Sequence, residues 1–250
     1  REHGRMILGE AGLDLSGLQV SEGLTFRWEG SYHGSMSEAV TKATHLNVFE
    51  HFQPKVAKQL SAPAVVFCAN LHPAIQASVM DQTSPRRLTM LDSMNLWIDI
   101  ARNELLEVMT RSDLVIINDG EVRMLANDEN IVRAMTTLAQ QTSTSTLVVK
   151  RGEHGVIALH EGQWIALPAY PSEDLTDPTG CGDSFAGSLA AHLSLGLGAI
   201  EIQELKQGLA IATVTASFTL SSFGTDSLRN LTEKQFDHRL SDYAAMIALS

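Results

Sequence analysis

Only two cysteines, Cys68 and Cys181, occur in 250 residues. They are too few for a disulfide framework and sit in no Cys-x-x-Cys or Cys/His metal spacing, so a reducing cytoplasm is the expected setting. Positive charge is also scarce: 18 Lys and Arg against 29 Asp and Glu leave a formal net charge of −11. A nucleic-acid partner would need a basic face, and any anionic substrate must be met by local cations rather than by the overall field. No run of about 18 apolar residues exists, and no basic segment followed by a hydrophobic one opens the chain, so neither a membrane span nor a secretion signal is read. The chain starts at Arg1 rather than Met, from which upstream residues are expected. A Gly-x-x-x-x-Gly-Lys-Ser/Thr loop and a Gly-x-Gly-x-x-Gly turn are both missing, which sets aside P-loop ATPases and dinucleotide enzymes. No linker or low-complexity run divides the chain, and 44% hydrophobic content over this length suits a single catalytic domain.

The most informative segment is Thr-Asp-Pro-Thr-Gly-Cys-Gly-Asp-Ser-Phe-Ala-Gly-Ser at 176–188. A turn of small residues opens directly into an apolar helix with one carboxylate in its first turn. Gly180 and Gly182 carry no Cβ to hold backbone N–H groups away from an anion, and the helix start aims its unpaired donors and positive dipole end at the same place. That dipole favours ionised Asp183, which could take a proton from a substrate hydroxyl. Singly, each feature reads more simply as a turn or as a dipole-satisfying acid; their coincidence within seven residues is less ordinary.

Asp177-Pro178-Thr179-Gly180-Cys181-Gly182-Asp183, continued by Ser184-Phe185-Ala186-Gly187, resembles the C-terminal signature of the ribokinase-like (PfkB) carbohydrate kinases, with Cys181 where the usual pattern has Ala. The resemblance implies Asp183 as catalytic base, an anion hole at Gly180, Cys181 and Gly182, and Asp177 at the entrance to the turn near the metal and phosphates. ATP and Mg²⁺ are the implied cofactors. Asn118-Asp119-Gly120-Glu121 is similar to the family's Asn-x-x-Glu element, which implies Glu121 on magnesium through water and Asn118 near the phosphates. A turn residue and a helix-start acid are the plainer reading of that pair. Lys150-Arg151-Gly152-Glu153-His154-Gly155 resembles the nucleotide loop, with Gly152 and Gly155 as its glycines and Lys150 supplying positive charge; a hairpin turn is the plainer reading there. Adenine contacts are expected within 208–225, around Ala212 and Gly224.

From about residue 64, strand and helix patterns alternate. Strands are read at 64–69, 88–91, 113–118, 147–149 and 156–159, and helices at 73–82, 96–110, 181–195, 201–219 and 232–247. Continuous apolar strands between helices predict a mostly parallel sheet covered on both faces, with ligands at the carboxyl ends of the strands. Together with that pattern, the resemblance implies a three-layer α/β/α ribokinase-like fold, one domain over 1–250 with its core at 64–250. Asp92 and Asn95 are expected to face the cleft as substrate residues, helix capping being the simpler reading of Asp92. Residues 24–32 alternate in polarity, and about 20–50 is read as a small β lid. In the family such a lid covers the sugar and often forms the dimer contact, which puts Arg27 and Trp28 near substrate or partner; a half-buried hairpin is an equal alternative. The family's first strand and its Gly-Gly substrate motif are not seen, so the match begins partway through the family.

These features predict a magnesium- and ATP-dependent phosphotransferase acting on a hydroxyl of a sugar or sugar-like molecule such as a nucleoside. Two rivals stand beside it. Gly182-Asp183-Ser184-Phe185-Ala186 imitates a nucleophile elbow with Asp226 and His238 following, although the polar segment 171–176 is no strand leading into Ser184. Cys181 has no identifiable histidine base, His192 included. The other rival is a binding protein that keeps the kinase fold without chemistry.

Overall fold

In a computed structural model the described residues are 2–34 and 39–248, so 35–38 of the expected lid lie outside them. Six strands form the central sheet: β3 (Val65–Cys68), β4 (Leu88–Asp92), β5 (Leu114–Asn118), β6 (Thr146–Lys150), β7 (Val156–His160) and β8 (Gln163–Leu167), adjacent in that order. β3 to β6 run parallel; β7 and β8 extend the sheet antiparallel.

The pleat explains the three layers. Side chains alternate across a strand, so a strand buried on both faces must be apolar throughout. Leu91, Val115, Ile117 and Val149 face one core with α3 (Asn95–Ile100), α4 (Arg102–Thr110), α5 (Asp119–Ala126) and α6 (Ile131–Thr142). Met90, Leu114, Ile116 and Val148 face the other core with α7 (Cys181–Ser194) and α8 (Ile202–Thr219). α2 (Pro73–Gln82) flanks the first layer; α9 (Asp226–Arg229) and α10 (Glu233–Ile247) pack on α8, with Tyr243 buried there. β1 (Arg27–Tyr32) and β2 (Ala39–His45) make a separate two-stranded antiparallel sheet with an irregularity between Glu29 and Gly30, and α1 (Glu2–Glu10) precedes them.

Several elements differ from the reading of the sequence. The helix expected at 96–110 is two, because Ala101 leaves the helical region (φ −143°, ψ 37°) while its N–H still bonds Trp97 O and its carbonyl accepts from Leu105. α1, α6, α9 and β8 were not anticipated. β8 alternates exposed and buried residues weakly and is held by register with β7 rather than by a strong apolar run.

Because β3 to β6 are parallel, Cys68, Asp92, Asn118 and Lys150 all end on the same edge of the sheet. That edge is where ligands gather in open α/β sheets.

Candidate active site

α7 starts at this edge. Gly180 takes φ +87°, a left-handed turn open to glycine, and delivers the chain into the helix. Ser184 N–H donates to Gly180 O at 2.9 Å, closing the first helical turn. Cys181 N–H donates to Pro178 O at 3.1 Å, so this amide is already engaged within the turn. Among the described residues no protein acceptor takes the amides of Gly182 or Asp183. Of the three amides expected at 180–182, Cys181 is the engaged one; Gly180 and Gly182 have no protein acceptor among the described residues, and Asp183 adds a third free donor. Asp177 shapes the entrance as expected: its Oδ1 accepts from Thr179 N–H (2.9 Å), and its own N–H donates to Leu220 O (3.2 Å) at the end of α8. Thr179 Oγ1 donates to Tyr32 OH at 3.3 Å, tying the turn to the small sheet.

Lys150 lies among three acids here, Asp92, Glu121 and Asp183. Lys150 Nζ donates to Asp92 Oδ2 at 3.1 Å and Oδ1 at 3.4 Å, and Asp92 is only 5% exposed. Burial alone would push the Lys150 ammonium down, but Asp92 and Glu121, with Asp183 behind them, more than offset it and hold the pKa above its usual range. Glu121, 4% exposed, is pushed up to about 7 by burial, Lys150 opposing this and Asp92 adding to it. Asp183 is raised by partial burial and by Asp92, while Lys150 pulls the other way. Cys181 is pushed up to about 12 by burial, with Asp177 and Asp183 adding to it, so its thiol stays protonated at neutral pH.

Asp183 opens onto a cavity of about 540 Å³ between the main sheet and the small one. Its walls are mostly apolar: Phe26, Phe49 and Phe52 on one side, His72 and Trp97 on the other. Phe26 and Phe49 centroids are 5.4 Å apart, and His72 meets Trp97 edge-on at 5.1 Å. Trp97 Nε1 donates to Asn70 Oδ1 at 2.9 Å, which satisfies the indole and fixes its plane. A shallower depression of about 340 Å³ near Trp164 has no titratable side chain in its lining.

The other expected site residues divide. Asn118 and Glu121 form a reciprocal helix cap: Asn118 N–H and Nδ2 donate to Glu121 Oε2 (2.8 Å) and Oε1 (2.7 Å), and Glu121 N–H donates to Asn118 Oδ1 (2.8 Å). Each carboxylate oxygen of Glu121 thus already accepts one hydrogen bond from Asn118. Among the described residues no three His, Cys, Asp or Glu side chains form a cation cage. Gly152 and Gly155 sit in the β6–β7 hairpin with φ +53° and +83°. Gly155 is required by packing, since a Cβ there would meet Leu167 O at 2.1 Å. Ala212 is a correction: it is fully buried in the α7–α8 core, so it packs the scaffold rather than touching adenine. Gly224 lies exposed in the turn after α8 with φ +63°. Asn95 is exposed at the start of α3 and outside the cavity wall formed by Met94, Leu96 and Trp97. Arg27 points to solvent and pairs with Glu29 (2.9 Å), and Trp28 lies over Gly30 with its Nε1 on Thr41 (3.1 Å). Ser184 Oγ bonds Thr219 Oγ1 (2.8 Å) and Cys181 O (3.2 Å), with no histidine among its partners. The aromatic wall was missed because Phe26, Phe49, His72 and Trp97 come from separate elements; only the Phe49-x-x-Phe52 spacing was visible locally.

Residues 37–232 match the pfkB family carbohydrate kinases. A cytidine kinase of Thermococcus kodakarensis is 30% identical over 190 residues, 74% of this chain and 66% of that protein, so the chain spans just under two thirds of that relative's length. A nucleoside kinase of Methanocaldococcus jannaschii superposes with TM-score 0.74 at 19% identity, over 96% of this chain and 76% of that one. Burkholderia thailandensis nucleoside kinase in complex with ADP-inosine superposes with TM-score 0.76 at 15% identity, over 98% and 73% of the two chains. The architecture is therefore the ribokinase-like α/β fold.

Proposed function

The chain belongs to the pfkB family of carbohydrate kinases, and from that premise we propose that it moves the γ-phosphoryl group of ATP to a hydroxyl of a sugar or nucleoside, with Asp183 as base. One observation carries the reading: the Asp183 carboxylate opens onto the cavity from the same helix turn that offers the unpartnered amides of Gly182 and Asp183. A base and main-chain donors at one point suit the two ends of a phosphoryl transfer.

In this mechanism Asp183 accepts the proton of the acceptor hydroxyl as its oxygen bonds to phosphorus and the bond to the leaving ADP breaks. The N–H groups of Gly182 and Asp183 and the Lys150 ammonium meet the charge on the transferred group. Magnesium, when bound with the nucleotide, supplies further neutralisation of phosphate charge. Its fit rests on acidic oxygens that outnumber the one cation, with Asp177 and water-linked Glu121 the residues that would hold it. The small sheet of β1 and β2 acts as a lid over the acceptor, within one kinase domain.

The apolar cavity favours a nucleoside over a free sugar. A free sugar carries a hydroxyl on nearly every carbon, and burying those against Phe26, Phe49 and Trp97 leaves them without partners. A nucleobase is flat and suits an aromatic wall. The cytidine kinase relative and the nucleoside kinase structures support this choice.

The test is ATP consumption across a panel of nucleosides and sugars, with Asp183→Asn alongside. The variant should turn over about 10²- to 10⁴-fold more slowly with nucleotide binding largely kept. Equal turnover would reject Asp183 as base.

A further inference from the structure

We propose that Asp92 is a positioning residue of the phosphoryl site: it fixes the Lys150 ammonium over Gly182, where the lysine meets the transferred group. This rests on the phosphotransfer reading and gives Asp92 a role through another side chain instead of a contact with the acceptor.

Three placements support it. Lys150 and Asp92 end two strands, β6 and β4, that are separated by β5, so their side chains meet across one intervening strand. Asp92 is bound in place from both directions, since Oδ1 accepts the Ser93 N–H at 2.8 Å and both oxygens receive the lysine. The ammonium in turn is pressed against the first turn of α7: a Cβ built on Gly182 would stand 3.2 Å from Lys150 Nζ. Glycine at 182 thus leaves the space that the lysine head occupies beside the unpartnered amides.

A lysine side chain has four rotatable carbons and loses much rotamer freedom when held. Without Asp92, the ammonium would still be drawn to Asp183 and Glu121, which lie in the same field. Pairing with the base would remove the cation from the phosphoryl position and engage the carboxylate that must take the proton. The Asp92 pair, with its partner residues 58 apart in the chain, prevents this by offering the nearer oxygens. The groups facing one another here are Asp92 from β4, Glu121 from α5, Lys150 from β6 and Asp183 from α7.

Four variants test it: Asp92→Asn, Lys150→Met, the double variant, and Asp183→Asn. Lys150→Met should lower kcat on the order of 10²-fold and Asp92→Asn about 10- to 100-fold, with acceptor KM changed less than about threefold. The double variant should be no slower than Lys150→Met, because two residues acting as a unit do not add. It also removes both charges together, so it keeps the test open should Asp92→Asn alone fail to fold. Fully additive losses, or a loss in acceptor KM alone, would overturn the proposal. A second readout does not need turnover: calorimetric binding of ADP and of the β,γ-imido analogue of ATP. The preference for the triphosphate should shrink in Asp92→Asn and Lys150→Met and persist in Asp183→Asn; an unchanged preference in the first two overturns the proposal. Should no acceptor be phosphorylated while that pattern holds, the proposed reaction fails and the positioning role stands.

Discussion

At the scale of single residues, several positions have a structural duty that the sequence alone presents as chemistry. Gly155 stands in a loop that resembles a nucleotide loop, yet its absent Cβ is needed by the end of β8: the atom would lie 2.1 Å from Leu167 O and 2.4 Å from Pro168 C. With φ +83° the backbone also sits where side chains are strained. Gly155→Ala should therefore cost about 2–4 kcal/mol in stability, read as a lower urea midpoint. An unchanged midpoint would mean that β8 can move away. Asp183 shows the converse. Its place in the first helix turn has the ordinary explanation of satisfying the dipole, and only the cavity in front of it supports the proposed role as base.

At the scale of elements, α5 joins local and distant effects. Asn118 and Glu121 cap the helix reciprocally, a pattern legible from the spacing of the two residues alone. Burial against Asp92 and Lys150 is not legible there, and it is burial that raises Glu121 to about 7. A carboxyl whose folded pKa lies above its unfolded value binds more protons when folded. Its contribution is fully present below the unfolded pKa near 4.5 and is lost as pH rises through about 7. Melting temperature measured without metal should fall between about pH 5 and 7.5, and Glu121→Gln should flatten that fall, leaving the smaller slope of the same sign that Asp183 contributes. An identical slope in the variant would show that Glu121 titrates normally. Most strands and helices of the core were readable, because apolar strands buried on both faces and long amphipathic helices carry their own periodicity. β8 and the break at Ala101 were not, since they are decided by neighbours: β8 by its register with β7, Ala101 by serving both α3 and α4. α6 does carry a local signal, the Asn130 cap followed by Ala134, Met135 and Leu138 at helical spacing, and was missed despite it.

At the scale of the whole molecule, the site is assembled by the sheet. Four parallel strands ending on one edge bring Asp92, Asn118 and Lys150 to the start of α7, and the small sheet closes a cavity above them. A ligand that bridges these parts stabilises all of them by mass action. Magnesium-ATP at about 100 times its dissociation constant should add about 2.7 kcal/mol, seen as a rise in melting temperature. A flat response across millimolar nucleotide would count against the kinase reading.

The linear chain by itself determined the βα alternation, the glycine turn with its acid at 176–188, and the capped helix after β5, because each depends on residues within a few positions of one another. Tertiary structure alone decided that Lys150 pairs with Asp92, that Cys181 N–H is engaged while its two successors are free, and that aromatic side chains from separate elements wall one cavity. Those facts depend on which strand ends lie side by side, and strand order and register are set by packing across the whole sheet, which no local pattern encodes.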